Sequence, residues 1–460
     1  MYRVSCLLAA LFVVIAPVAL AAKPQLEPKD CPNAASAAGA RCGVVYVPEN
    51  HAKPRGRKIP LYVVVLPATG QREGNRAQYD LEGGPGFAAT DFLEFYAGEG
   101  APYREKRDIV LADMRGTGDS NALRCPDIEA TQGPTSPLYP PKFVTHCAQQ
   151  LGNRDPLQYT TGAAARDIDL VRRALGYEQL DLNAISYGTT LALRYIADFP
   201  QRVHAAVLMG TVPASRTPPR LHASAAQAAL DRLIADCAAN TACHAQYGDV
   251  GANLAAARER VAATSVMPEG VFLEKLRTQL YSPASRARVP YLLARAAAGD
   301  FHGFTSPAGN GRVFADGLYL SITCAESFAR MDVDDAIVVA RATVFGAYRL
   351  ERQRDACEQW PRAAADPQLM REPDSQVPVL FIAGELDPVS PADWATQAAV
   401  HFPNGKLVRV AHGAHVLDGL SGLDTCLDAV AIRFFDNGFA QRLDVSCFAT
   451  MMPPPFGDSP

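Results

Sequence analysis

The 460-residue chain carries little net charge, since 44 basic against 48 acidic side chains leave −4 at pH 7. There is no electrostatic footprint for nucleic acid or for an anionic membrane, and partners of both kinds are set aside. Beyond the N-terminus no stretch approaches the roughly 20 apolar residues that a membrane span needs. No C-x-x-C occurs, and Cys237 to Cys243 is too wide a step for a zinc knuckle, so the cysteines do not read as a metal site. No internal repeat is apparent.

What is present is a globular composition, 48% hydrophobic and 20% charged, long enough for one large domain with an insertion or for two domains. Arg3 precedes an apolar run from Leu7 to Ala16, and Ala19-Leu20-Ala21 offers a cleavage site. Residues 1–21 are therefore expected to be a signal peptide, the run being short and broken by Pro17. With Cys6 set aside, ten cysteines remain: Cys31, Cys42, Cys125, Cys147, Cys237, Cys243, Cys324, Cys357, Cys426 and Cys447. An even number in an exported chain points to disulfides, and sequential pairing would close five modest loops. The mature protein is expected to be secreted or periplasmic.

The β-branched segments Gly43 to Pro48 and Lys58 to Pro67 read as an antiparallel edge, followed by a short strand from Gln78 to Leu81. From about residue 108 to 210, strand and helix alternate: Asp108 to Ala112, a helix over Thr161 to Leu175, Leu180 to Ile185, a helix from Tyr187 to before Pro200, and His204 to Met209. Such alternation predicts a parallel sheet covered on both faces. The pattern stops at Gly210, and the Ala- and Arg-rich stretch to about residue 370 shows no strand pattern, so residues 212–375 are expected to be a helical cap. Sheet residues resume at Val379 to Ala383 and Lys406 to Val410, with helices over Ala392 to Phe402 and Leu423 to Phe435. The core is thus split into 22–211 and 376–460.

Ser186 sits between a strand and a helix in Ala184-Ile185-Ser186-Tyr187-Gly188, close to the G-x-S-x-G turn that lifts a serine hydroxyl above a sheet. A serine nucleophile needs a base, and the base an orienting acid. Asp387 follows the first strand after the insertion, and His415 follows the next, with His412 as a rival base. Gly413-Ala414 gives His415 the tighter approach. Glu82-Gly83-Gly84-Pro85-Gly86 supplies a loop almost without side chains, where the Gly84 N–H, together with that of Tyr187, would meet a developing oxyanion.

Gly83-Gly84-Pro85-Gly86, the run from Asp113 to Ser120, the Ser186 turn, Gly384-x-x-Asp387 and Ala414-His415 occur in that order. Together they resemble α/β-hydrolases of the proline iminopeptidase and tripeptidyl aminopeptidase-like group. Two positions depart from it: Glu82 stands where a histidine is usual, and Ala184 replaces the first glycine of the turn. The resemblance implies the α/β-hydrolase fold, with a mostly parallel central sheet, helices on both faces and a helical cap. It implies a serine aminopeptidase working through an acyl-enzyme without metal or organic cofactor, on peptides with a free N-terminus. Glu326, in a C-x-E segment of the cap, and then Glu82 are the candidates for holding the ammonium group. An Asp113–Arg115 pair would scaffold its loop, and Glu82 could instead pair with Arg115. An esterase on the same scaffold is the alternative, and a catalytically dead binding protein is disfavoured because all three catalytic residue types are present.

Overall fold

The computed structural model describes residues 24–126, 132–140, 142–306 and 313–457. The signal-peptide reading falls outside them. Nine strands form one sheet in the order β1-β2-β3-β5-β4-β6-β7-β8-β9. They are β1 (Glu27–Lys29), β2 (Arg41–Pro48), β3 (Lys58–Leu66), β4 (Arg76–Leu81), β5 (Asp108–Ala112), β6 (Gln179–Ile185), β7 (Val203–Met209), β8 (Val379–Gly384) and β9 (Lys406–Val410). β1, β2, β3 and β5 pair antiparallel in turn, and from β5 through β4 to β9 every pairing is parallel.

Side chains alternate across a strand, so a sheet covered on both faces must bury both sets. On β7, Ala206 and Leu208 enter one core while Ala205 and Val207 enter the other. The helices Thr161–Leu175 and Tyr187–Asp198 cover the first face with Ile168, Val171, Leu191 and Ile196. The helix Ala429–Asn437 covers the second with Val430, Phe434 and Phe435. β7 and β8 are neighbours in the sheet, although the chain between them makes a long excursion. Among the described residues that excursion holds helices and no strand, from His222–Ala239 to Tyr348–Gln359.

The structure adds elements that the sequence pattern hides. β1 is exposed and has no apolar alternation; it exists because Glu27 to Lys29 pair with Cys42 to Val44. Between Asp108–Ala112 and Thr161–Leu175 lies a further helix, Phe143–Gln150, which turns Phe143, Val144 and Cys147 into the core. The helix begun at Ala392 stops at Ala399, short of Phe402. The segment Leu423–Asp428 is a π-helix leading into Ala429–Asn437.

The ten cysteines among the described residues pair in sequential order: Cys31–Cys42, Cys125–Cys147, Cys237–Cys243, Cys324–Cys357 and Cys426–Cys447. Five such bonds fit an oxidising compartment. Among the described residues no helix is long and apolar enough to cross a membrane.

Candidate active site

Parallel strands share one carboxyl edge, and loops leaving that edge converge. β4, β6, β7, β8 and β9 are neighbours in that order, and each delivers one part of the site there. β4 runs into Glu82 and the glycine loop, β6 into Ser186, β7 into Gly210, β8 into the Asp387 loop and β9 into the His415 loop.

Ser186 has φ 56° and ψ −125°, a conformation costly for a residue with a side chain. Its amide donates to the Met209 carbonyl at 3.0 Å, and its carbonyl accepts from the Thr189 amide at 2.9 Å. The chain thus reverses within one residue and leaves the hydroxyl at the start of a helix. Gly188 is what allows the helix to come so close: a Cβ there would lie 2.1 Å from the Leu81 carbonyl oxygen. Ala184, buried opposite Leu81, is tolerated on the strand side.

The glycine loop lies against the serine. A Cβ on Gly83 would lie 3.0 Å from Ser186 Cβ and 3.5 Å from its Oγ. Gly84, at φ 113°, and Gly86, at φ 147°, are roofed by the Phe314 ring of the excursion, and the Ala315 amide donates to the Gly86 carbonyl at 3.1 Å. The first helical residue after the serine, Tyr187, is buried, and its N–H belongs to the unsatisfied first turn.

Asp387 and His415 are both about 5% exposed and bonded to each other. His415 Nδ1–H donates to Asp387 Oδ2 at 2.9 Å, which leaves Nε2 as the acceptor nitrogen. The Asp387 carboxylate is held on every side. Oδ1 accepts from the Val389 and Ser390 amides at 2.7 and 2.9 Å, and Oδ2 accepts from Ser390 Oγ at 2.7 Å. The His415 ring packs against Gly210, at whose position a Cβ would be 3.1 Å from Nδ1 and Cε1. Tyr281 meets the same ring edge to face at a centroid distance of 5.3 Å, and its carbonyl accepts from the Val416 amide at 3.0 Å. His412 has no such partner among the described residues; the ring that reaches Asp387 is that of His415.

Ser390 and Tyr281 were not among the residues singled out from sequence. Ser390 could have been, because Asp-x-x-Ser is an Asx-turn spacing that folds the serine back onto the carboxylate. Tyr281 carries no local signal.

Glu326 lies in a π-helix, Thr323–Phe328, and is 6% exposed. Its Oε1 accepts from the Thr161 amide at 2.7 Å and its Oε2 from Thr161 Oγ1 at 2.5 Å. Thr161 Oγ1 in turn meets the Tyr187 hydroxyl at 2.8 Å. Both oxygens of Glu326 are thus spent inside the protein, capping a helix and backing the residue beside the serine. Burial pushes its carboxyl up to about 7, with the Thr161 bonds opposing that rise. A carboxyl raised in the folded state stabilises the fold fully below its ordinary value of 4.5 and loses that contribution as pH rises to about 7. Glu326→Gln should therefore gain stability over the native chain at pH 8 relative to pH 5, by something on the order of 2 kcal/mol. Chemical denaturation at both pH values checks this; a difference that ignores pH would remove Glu326 from the slope.

The expected Asp113–Arg115 pair does not form. Asp113 instead accepts from Thr90 and from the Asp119 amide. Arg115 is buried and spends its donors on Asp167 at 2.6 and 2.7 Å, on the carbonyls of Pro48, Glu49 and Gln158, and on His51. Those partners also leave it none for Glu82. Each residue scaffolds the loop, but separately.

Residues 81–245 match the alpha/beta hydrolase fold family and residues 342–447 the TAP-like protein family. The chain has the α/β-hydrolase fold. The first match contains the strand that leads into Ser186, and the second contains the strands that lead into Asp387 and His415. Over 90% of its length this hydrolase is 25% identical to a tripeptidyl aminopeptidase of Streptomyces lividans, of which it covers 85%. It is 30% identical to the serine protease Hip1 of Mycobacterium tuberculosis over 45% of this chain and 43% of that one. A carboxylesterase B of the same organism is 29% identical over 89% of this chain and 86% of its own.

Proposed function

We propose that this α/β-hydrolase is an exported serine peptidase that removes residues or short peptides from the free N-terminus of its substrates. The observation that carries the chemistry is Asp387 bound to His415 Nδ1 at the edge where Ser186 stands in its strained turn. The likeness to a tripeptidyl aminopeptidase over most of both chains supports the substrate class. Five disulfides support an oxidising compartment, in keeping with residues 1–21 acting as a signal peptide.

His415 Nε2 accepts the Ser186 proton as Oγ attacks the scissile carbonyl, and Asp387 stabilises the imidazolium. The Tyr187 and Gly84 N–H groups take the oxyanion. Collapse of the tetrahedral adduct breaks the C–N bond, and His415 returns the proton to the leaving amine. Water, deprotonated by His415, then hydrolyses the acyl-enzyme and frees Ser186.

The test is turnover of Pro-, Ala- and Ala-Ala-Pro-anilides, each with its N-terminus free or acetylated, against a Ser186→Ala control. Serine-dependent turnover strongly favouring the free-amine substrates over their slow acetylated counterparts is expected, and the preferred length reports how many residues leave per cut. The likeness to a carboxylesterase favours a second reading, a small-molecule esterase. Brisk cleavage of p-nitrophenyl esters beside inert anilides would establish that reading in place of the first.

A further inference from the structure

Against the catalytic edge, on the face of the sheet covered by Ala429–Asn437, lies a cavity of about 750 Å³. That volume falls in the ~300–1,000 Å³ range of sites that enclose a whole small ligand. Chain neighbours of the catalytic residues line its floor, though Ser186, Asp387 and His415 do not: Ile185 precedes Ser186, Met209 ends β7, and Leu417 lies two residues beyond His415. Phe92, Phe95, Tyr96 and Tyr103 give it an apolar, aromatic wall.

Its charge is one-sided. Asp80, Glu82, Glu99, Asp418, Asp424 and Asp428 line it, and no Lys, Arg or His does. Two of these carboxylates are tied back into the protein, Asp80 by Gln78 Nε2 at 3.0 Å and Asp428 by the Tyr103 hydroxyl at 2.8 Å. Asp418 is different. Its backbone carbonyl is fixed by the Ala284 amide at 3.0 Å, while its carboxylate makes no hydrogen bond or ion pair among the described residues. Asp418 is open to solvent, yet surrounding protein pushes its carboxyl above the ordinary value, the position of a group on a cavity wall rather than on a convex surface. Behind the wall, fully buried Gln78 keeps its Oε1 without a partner while its Nε2 holds Asp80 and Tyr96.

A volume with aromatic walls, several carboxylates and no basic side chain in its lining is built for a cation with an apolar body. Among the described residues no group of three or more carboxylates, histidines or cysteines is placed to hold a metal ion, and the aromatic wall favours an organic cation. Three residues span at most about 11 Å of chain, so Asp418 stays within that reach of His415, and Glu82 adjoins the glycine that touches Ser186. We propose that this cavity receives the positively charged amino end of the substrate, with Asp418 as its counter-ion. The assignment rests on the peptidase reading above and moves ammonium recognition from Glu326 in the cap to the floor of the core.

The experiment compares kcat/KM for free and N-acetylated peptide anilides in the native enzyme and in Asp418→Asn and Asp418→Lys. Losing one charge-assisted contact should lower kcat/KM on the free amine by about 10- to 100-fold and leave the acetylated substrate unchanged. Asp418→Lys should shift preference towards an N-succinyl substrate. An unchanged free-to-acetyl ratio in both variants overturns the subsite while leaving the peptidase standing. Should the native enzyme cleave no anilide, the peptidase reading fails and the subsite is read separately. Leucinamide, but not N-acetylleucinamide, should then inhibit p-nitrophenyl ester hydrolysis competitively, and Asp418→Asn should raise its inhibition constant by the same factor. Equal inhibition by the two amides would dispose of the subsite.

Discussion

Ser186→Ala is expected to lower kcat by about 10⁴- to 10⁶-fold, the scale found when the nucleophile of a serine triad is removed. What survives comes from donors that are independent of the hydroxyl, the N–H groups of Tyr187 and Gly84. The protein should remain folded, because alanine inherits the same φ of 56° and the turn is held by backbone bonds to Met209 and Thr189. Turnover of the preferred substrate and labelling by a fluorophosphonate are the two measurements. A variant that kept more than a few per cent of native turnover would show that the bond is broken elsewhere in the protein.

Asp387→Asn should cost about 10⁴-fold in kcat, as the equivalent exchange does in the serine-protease template, and here the reason can be traced atom by atom. Oδ1 receives two backbone N–H groups, from Val389 and Ser390. An asparagine must put its carbonyl oxygen there, since an amide NH₂ facing two donors would leave all three unpaired. The NH₂ is then forced to the Oδ2 side, towards His415 Nδ1 and Ser390 Oγ. Nδ1 must become the acceptor, Nε2 takes the proton, and the imidazole can no longer remove one from Ser186. Raising the pH does not restore that tautomer, so the loss should persist across the pH profile. Ser390 stands 3.3 Å from Nδ1 and offers a weak substitute acceptor, so Asp387→Asn combined with Ser390→Ala should fall further than the single variant. A single variant within tenfold of native activity would overturn the orienting role of Asp387.

The residues that carry these effects were legible in the sequence because each follows a sheet strand. Strands announce themselves by β-branched runs, and a parallel sheet puts whatever follows them on one edge. The same logic made the covering helices readable, since one face of Thr161–Leu175 is apolar at helical spacing. What escaped lacks a local cause. β1 is polar and is held only by its partner strand. The π-turn at Leu423–Asp428 changes the hydrogen-bonding register without changing the apolar pattern enough to show. The partner of Arg115 is Asp167, on a helix far along the chain, whereas sequence proximity suggested Asp113. The acidic cavity draws its carboxylates from β4 and its loop, from Glu99, and from the segment after His415, three stretches that meet only in the folded sheet.

The order in which the cysteines pair has a consequence for assembly. In a chain threaded N-terminus first into an oxidising compartment, each odd-numbered thiol would meet its proper partner as the next one to arrive, 6 to 33 residues later. Among the described residues no cysteine has to wait while others pass, and no bond encloses another. A simple thiol oxidase acting at the point of entry would therefore generate the native set without an isomerase to correct it. β8, by contrast, cannot join β7 until the whole helical excursion has emerged, so the first four of these bonds, up to Cys324–Cys357, can close while the sheet is still incomplete.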